Sequence, residues 1–224
     1  MKEHNIWRKI REFLVEVFII VFAITLSIWF HNRSEHSQQQ DEVKEFLLGL
    51  KSDLEHDLVE MANDKESYER QKYIFSYVTS PNLKGGLNKD TLRENRSWLF
   101  NTTALSPNNG RFEGFKSSGH IGQIENKELQ NDIMDFYQED IVTLLSSTDA
   151  YIMIKRKFFD FEIQNLKRTS DSTNNLIEIL LLDQAQNLCG ALRYPNEVIS
   201  RYETCMAKAR KIINEIKAEY DLKN

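Results

Sequence analysis

The chain is short of everything that interrupts or staples a polypeptide, with 3 prolines, 8 glycines and 2 cysteines in 224 residues. So few breakers disfavour many short strands joined by tight turns and favour long helices. Two cysteines allow at most one disulfide. Positive charge is also lacking: the net charge is −5, and the residues after position 30 carry 25 basic against 31 acidic groups. Nucleic acid requires a basic face, so a body of this sign excludes nucleic-acid partners. Of the 5 histidines none has a metal-binding spacing such as HExxH. There is no repeat of fixed period, and the only low-complexity tract is Gln38-Gln39-Gln40.

What is present begins with an apolar run. Phe13 to Phe30 reads FLVEVFIIVFAITLSIWF, with Glu16 its only charge. As a helix this run is about 27 Å long, close to the hydrocarbon thickness of a bilayer. Trp7 and Trp29 bracket it, at the level where indoles favour the headgroups. No small-x-small cleavage site follows, since the next residues are HNRSEH; the segment therefore reads as an uncleaved signal anchor held in the lipid bilayer. Lys2, Arg8, Lys9 and Arg11 precede the run, and Arg33 alone lies in the ten residues after it. This bias predicts a basic cytoplasmic N-terminus over residues 1–12, a transmembrane helix over 13–30, and residues 31–224 across the inner membrane, in a bacterial periplasm. Glu16 is a candidate intramembrane functional residue, as a proton or ion site or a contact to a partner helix. Its place one turn from the cytoplasmic end favours instead a carboxylate that reaches back to water and the basic flank.

Beyond residue 40 the periodicity is helical throughout. Val43, Phe46, Leu47, Leu50, Leu54, Leu58 and Met61, then Ile74, Phe75 and Val78, predict an amphipathic helix over 41–79, continuous with the span if the HNRSEHSQQQ segment is helical too. Ser80-Pro81 stops it and Lys84-Gly85-Gly86 forms a loop. A shorter helix over 89–100 turns Trp98, Leu99 and Phe100 inward, and NTTALSPNNG is a loop. A long helix to about Leu166 carries Leu129, Ile133, Phe136, Ile141, Leu144, Leu145, Ile152 and Phe159 on its apolar face. TSDSTNN is a connector, Leu176–Leu192 an apolar helix ending near Gly190, and Asn196–Tyr220 a final helix at near-heptad spacing. The fold class is all-α, a single N-terminal transmembrane helix followed by an antiparallel bundle of long helices.

Half of the glycines, Gly110, Gly114, Gly119 and Gly122, fall within thirteen positions. Gly114 and Gly119 have the spacing of a phosphate loop, but the lysine is at 116, no Ser or Thr follows Gly119 and no strand precedes. The cluster is a structural turn: a short helix through Phe115 and Ser118, Gly119 as its left-handed stop, Ile121 and Ile124 tucked back, and Asn126 as N-cap of the next helix.

The basic start, the VEVFIIVFAITLSIWFHN span, the KEFLLGLKSDLEHDL helix and the FEGFKSSGHIGQIENKELQNDIMDFY block occur in that order. Together they resemble the domain-of-unknown-function 6090 family, small single-span envelope proteins of Bacteroidota-type bacteria. The family pattern corresponds to Glu16, to Phe112–Gly119 and to Asn126–Tyr137, with departures at His120 and at Phe136-Tyr137. The resemblance covers most of residues 8–150 and implies a membrane-anchored helical protein. It implies no activity, because the family has none established.

Searched for chemistry, the chain offers little. Asp53, His56, Asp57 and Glu60 line one stripe of a helix and are weak candidates for a divalent cation, although an acidic stripe beside an apolar face is ordinarily a solvated flank. Ser117-Ser118 lacks a nucleophile context, and His120 reads as a turn or packing residue. No catalytic or cofactor-binding residue is expected, and no cofactor. Cys189 and Cys205 fall about five residues out of register across a turn centred near 194–195, too far for a bridge, so both are expected as free, buried thiols. The sequence thus predicts a non-enzymatic envelope scaffold or accessory subunit acting through other envelope proteins or self-association. The alternative is a periplasmic ligand-sensing bundle signalling through a membrane partner, because about twelve cytoplasmic residues hold no output domain.

Overall fold

The computed structural model describes residues 3–80, 86–168 and 174–221, with side chains described throughout except at 3–10 and 12. Helix α1 runs unbroken over Glu3–Val78. Its 76 residues make a rod about 114 Å long. The apolar run and the core helix are one element, with no backbone break at residue 30. Along Phe13–Phe30 every side chain is exposed, and from Val43 onward the same helix is the spine of a packed body.

The body reads outward from that spine. After Val78 the chain forms two short helices, α2 (Lys89–Glu94) and α3 (Arg96–Phe100), then an irregular segment, then α4 (Gly110–Ser117) and a 3-10 turn at His120–Gln123. This stretch brings the chain back along α1 to its near end, the end closer to the apolar run, where Phe115 stacks on Phe46 at 3.9 Å. Helix α5 (Lys127–Asp135) continues through a π turn at Phe136–Asp140 into α6 (Ile141–Asn165), running toward the distal end beside Val78. Helices α7 (Leu176–Leu180) and α8 (Asp183–Leu192) fill that end. Helix α9 (Asn196–Glu219) then returns the full length of the body against α1. Its ends are fixed by Lys72 donating to Asn196 at 2.9 Å and by Lys44 over the Tyr220 ring at 5.5 Å.

Several local expectations hold. Gly119 is left-handed, φ 79°, and stops α4. The Asn126 side chain caps α5, accepting from the Leu129 N–H at 3.1 Å while donating to Glu219 at 3.0 Å. Cys189 and Cys205 are free and buried.

Others are corrected. The bundle is not simply antiparallel: residues 86–126 return along the body's length, so α6 lies parallel to α1 and the long α9 opposes both. The helix expected over 89–100 is two, parted at Asn95, whose side-chain amide donates to the Thr91 carbonyl at 2.9 Å. The helix expected over 176–192 is also two, parted where Leu182 adopts an extended backbone, and the second runs past Gly190 to Leu192. Phe159 is 41% exposed, whereas Phe158 is fully buried. The row 145, 152, 159 has a strict seven-residue step and drifts about 20° per heptad on a 3.6-residue helix. The true inward row is Ile141, Leu144, Thr148, Tyr151, Lys155, Phe158 and Glu162.

Candidate binding site at the distal end

Beside its apolar seam, α1 carries a polar one: Asp53, Asp57, Glu60, Asp64, Tyr68 and Gln71, spaced three and four apart and so stacked on one side of the helix. An irregular backbone crossing a protein surface must find hydrogen-bond partners outside itself, and this seam supplies them to residues 101–111. Asp53 takes the Arg111 guanidinium at 2.9 Å, across the bare Cα of Gly49. Asp57, fully buried, accepts from the Asn108 backbone at 3.1 Å and from its side-chain amide at 2.6 Å. Glu60 accepts from the Ser106 N–H at 2.8 Å. Asp64 holds the Thr103 hydroxyl and the Tyr202 hydroxyl, the latter at 2.9 Å, and the Tyr68 hydroxyl donates to the Thr103 carbonyl at 2.7 Å.

The proposed cation stripe of Asp53, His56, Asp57 and Glu60 is thereby corrected twice. Its carboxylates diverge onto three different donors, and His56 stays exposed. Nor is the stripe a solvated flank, since Asp57 and its neighbours tie down the loop. Burial raises the Asp57 pKa, against the lowering pull of its two bonds from Asn108. Among the described residues three acidic side chains converge elsewhere, Glu128, Asp132 and Glu215 at the near end. Their cationic partners are already in place: Lys208 reaches Asp132 at 2.6 Å, and Lys211 reaches Asp132 at 2.5 Å, Glu128 at 3.1 Å and Glu215 at 3.3 Å. Glu16 is exposed on the apolar run. His120 is half-buried, edge-on to Phe115 at 5.8 Å and 3.7 Å from Glu42, a packing residue of the turn.

At the distal end of the polar seam sits Lys155, which is 1% exposed. Its ammonium donates to the Gln71 side-chain carbonyl, the Asn101 carbonyl and, at 2.9 Å, the Trp98 carbonyl, and it lies 5.8 Å from the Phe75 ring centre. Three donors meet three acceptors. Burial alone drives its pKa down to about 7. A lysine so depressed is the kind used as a nucleophile, but this one has no access to solvent and no N–H to spare. Its work is to pin α3 and the start of the loop onto α1 and α6.

Two turns further along the same face is Glu162, 5% exposed. No hydrogen bond reaches its carboxylate from any described residue; burial raises its pKa, and the charge of Arg96 is the only opposing influence. Glu162 and Arg96 line a groove of about 390 Å³ with Phe100, Asn101, Phe159 and Leu166. Phe100 and Phe159 stand 6.2 Å apart at 59°, and the Arg96 guanidinium lies 6.0 Å from the Phe100 ring centre. Arg96 also borders a second depression of about 220 Å³, where Lys89 and Arg93 join it beside Leu92, Leu176 and Ile177. An acidic body thus gathers three cations on one wall, from α2 and the start of α3. The sequence did contain a signal for this site: Lys155 and Glu162 are charged residues in phase with a buried apolar row. The Lys155 partners Trp98, Asn101 and Gln71 are remote in sequence and carried none.

No protein-family model, curated protein or solved structure matches the chain.

Proposed function

We propose that the chain is a membrane-anchored helical scaffold or accessory subunit of a bacterial envelope assembly, working through protein contacts rather than catalysis. The observation that carries this reading is the exposed apolar run on the same unbroken helix that forms the spine of the body. An 18-residue window of mean hydropathy 2.5 with none of its surface buried is costly in water and stable in a bilayer. A continuous helix from such an anchor into a packed core transmits position, as a bracket does. The basic flank before the run supports a cytoplasmic N-terminus and a periplasmic body, and the resemblance to the domain-of-unknown-function 6090 family points the same way.

A reporter active only in the periplasm, fused after Asn224, is expected to be active, and silence from a well-expressed fusion reverses the orientation. Extraction in mild detergent with mass spectrometry of the complex tests the scaffold itself. A stoichiometric protein partner or a defined self-assembly supports it, and a lone monomer opposes it. A second reading, ligand sensing through a membrane partner, is favoured by one feature, the distal groove lined by Glu162, whose carboxylate accepts no hydrogen bond from any described residue; a monomer that co-purifies with a small metabolite supports that reading.

A further inference from the structure

We propose that the distal groove binds a small zwitterion, an α-amino acid with an apolar side chain, its ammonium on the Glu162 carboxylate and its carboxylate on Arg96. Among the described residues the groove lacks a protein donor for one of its own carboxylates. Buried carboxylates are ordinarily paired or hydrogen-bonded, because desolvation without compensation is expensive. Asp57, Asp64 and Asp132 in this body all follow that rule, whereas Glu162, 5% exposed and lining the groove, accepts no hydrogen bond from any described residue. It lines an open groove instead of a closed core, so the missing donor can come from outside.

Arg96, which lines the same groove, decides what that donor is attached to. A simple cation would meet Arg96 as well as Glu162, and a simple anion would meet Glu162 as well as Arg96. A molecule bearing both charges satisfies each side chain with the opposite sign, in a setting where charge-assisted bonds are the strong ones. Apart from Ser97 and Asn101, the rest of the lining is apolar: Phe100 and Phe159, with Leu166. That surface suits a hydrocarbon or aromatic side chain, and a groove of about 390 Å³ lies in the range of small-molecule sites. The floor is held in place, because Asn101, which lines the groove, gives its carbonyl to the buried Lys155 ammonium. Pre-organisation of this kind lowers the ordering cost of binding. The inference deepens the sensing reading and takes from it only the choice of groove; binding is scored whether or not a signal follows, so the two fail separately.

The test uses full-length protein in lipid nanodiscs, titrated calorimetrically with L-phenylalanine and with L-leucine. Phenethylamine, which lacks the carboxylate, and N-acetyl-L-phenylalanine, which lacks the ammonium, are the single-charge controls. L-phenylalanine is expected to bind, and each control to bind at least about tenfold more weakly. Glu162→Gln, nearly isosteric and free of the buried charge, should retain the fold and lose at least about tenfold in affinity for L-phenylalanine. If that variant unfolds, Arg96→Gln at the exposed rim carries the same expectation. Three results overturn the proposal: no binding of either amino acid at millimolar concentration, equal binding of a single-charge analogue, or unchanged affinity in a folded variant.

Discussion

Lys155 shows how a single buried charge can organise a region and still burden it. Its three N–H groups satisfy Gln71, Trp98 and Asn101, and removing them in Lys155→Met leaves those acceptors without a donor at about 1–3 kcal/mol for each one that stays buried. The charge has a cost of its own. With a native pKa of about 7 against an ordinary 10.5, the unfolded chain binds a proton that the native state lacks throughout that interval. Native stability should therefore rise with pH from about 7 to about 10, the full penalty being present below pH 7. Denaturant titrations of wild type and Lys155→Met across this range check the sign: the wild type should gain on the variant as pH rises, and parallel curves would show that Lys155 does not titrate there. Asp57 makes a simpler case. Asp57→Ala strips the Asn108 N–H and amide of their acceptor, and a loss of about 1–3 kcal/mol is expected, with faster amide exchange over 101–110 as its local signature. Cys189 and Cys205, both pushed up to about 12 by burial, should resist a maleimide in the native state and both react once the unreduced protein is denatured.

At the scale of elements, the governing fact is that α1 carries two seams. The apolar row packs α9 and α8 and meets α6 through Phe75 on Phe158, and the polar row a few tens of degrees around the helix fixes an irregular loop that cannot satisfy its own backbone. An acidic stripe on a helix is indistinguishable in sequence from a solvated flank, because both obey the same three-four spacing; what separates them is whether another segment crosses. The turn after α4 was by contrast legible locally. Gly119 has φ 79° with no atom within 4 Å of where a Cβ would stand, so its requirement is conformational and not steric. Gly119→Val should destabilise the body by about 1–2 kcal/mol through backbone strain alone. A thermal midpoint that does not move would show that the turn relaxes into another geometry. The π turn at Phe136–Asp140 was not legible. An i→i+5 bulge adds one residue to a turn, placing adjacent Phe136 and Tyr137 both in the core, and no composition signal marks it.

For the whole molecule, α1 divides by environment and not by backbone. Residues 31–38 are exposed on every side, while from Val43 to Val78 the helix is gripped along its length. Isolated helical turns open easily, whereas packed ones open only with the body. Hydrogen exchange should accordingly be fast over 31–38 and slow over 43–75. Uniform protection across both would mean that something covers the exposed stretch, which is what the scaffold reading requires when its partner is bound.

The sequence by itself determined the all-α class, the apolar run, the long helix after it, the left-handed Gly119, the Asn126 cap and the two unbridged cysteines. Each of these rests on short-range chemistry: side-chain periodicity, a positive φ, a cap three residues away, or a register fixed by one tight turn. Only the tertiary structure decided that α6 runs parallel to α1, that Asp57 and Asp64 look inward, and that Lys155, Glu162, Arg96 and Phe100 meet at one end. Those facts follow from the crossover over residues 86–126, which folds back along the body and brings side chains more than fifty positions apart to one place. A buried charge is identified by what surrounds it, and surroundings are not a property of local sequence.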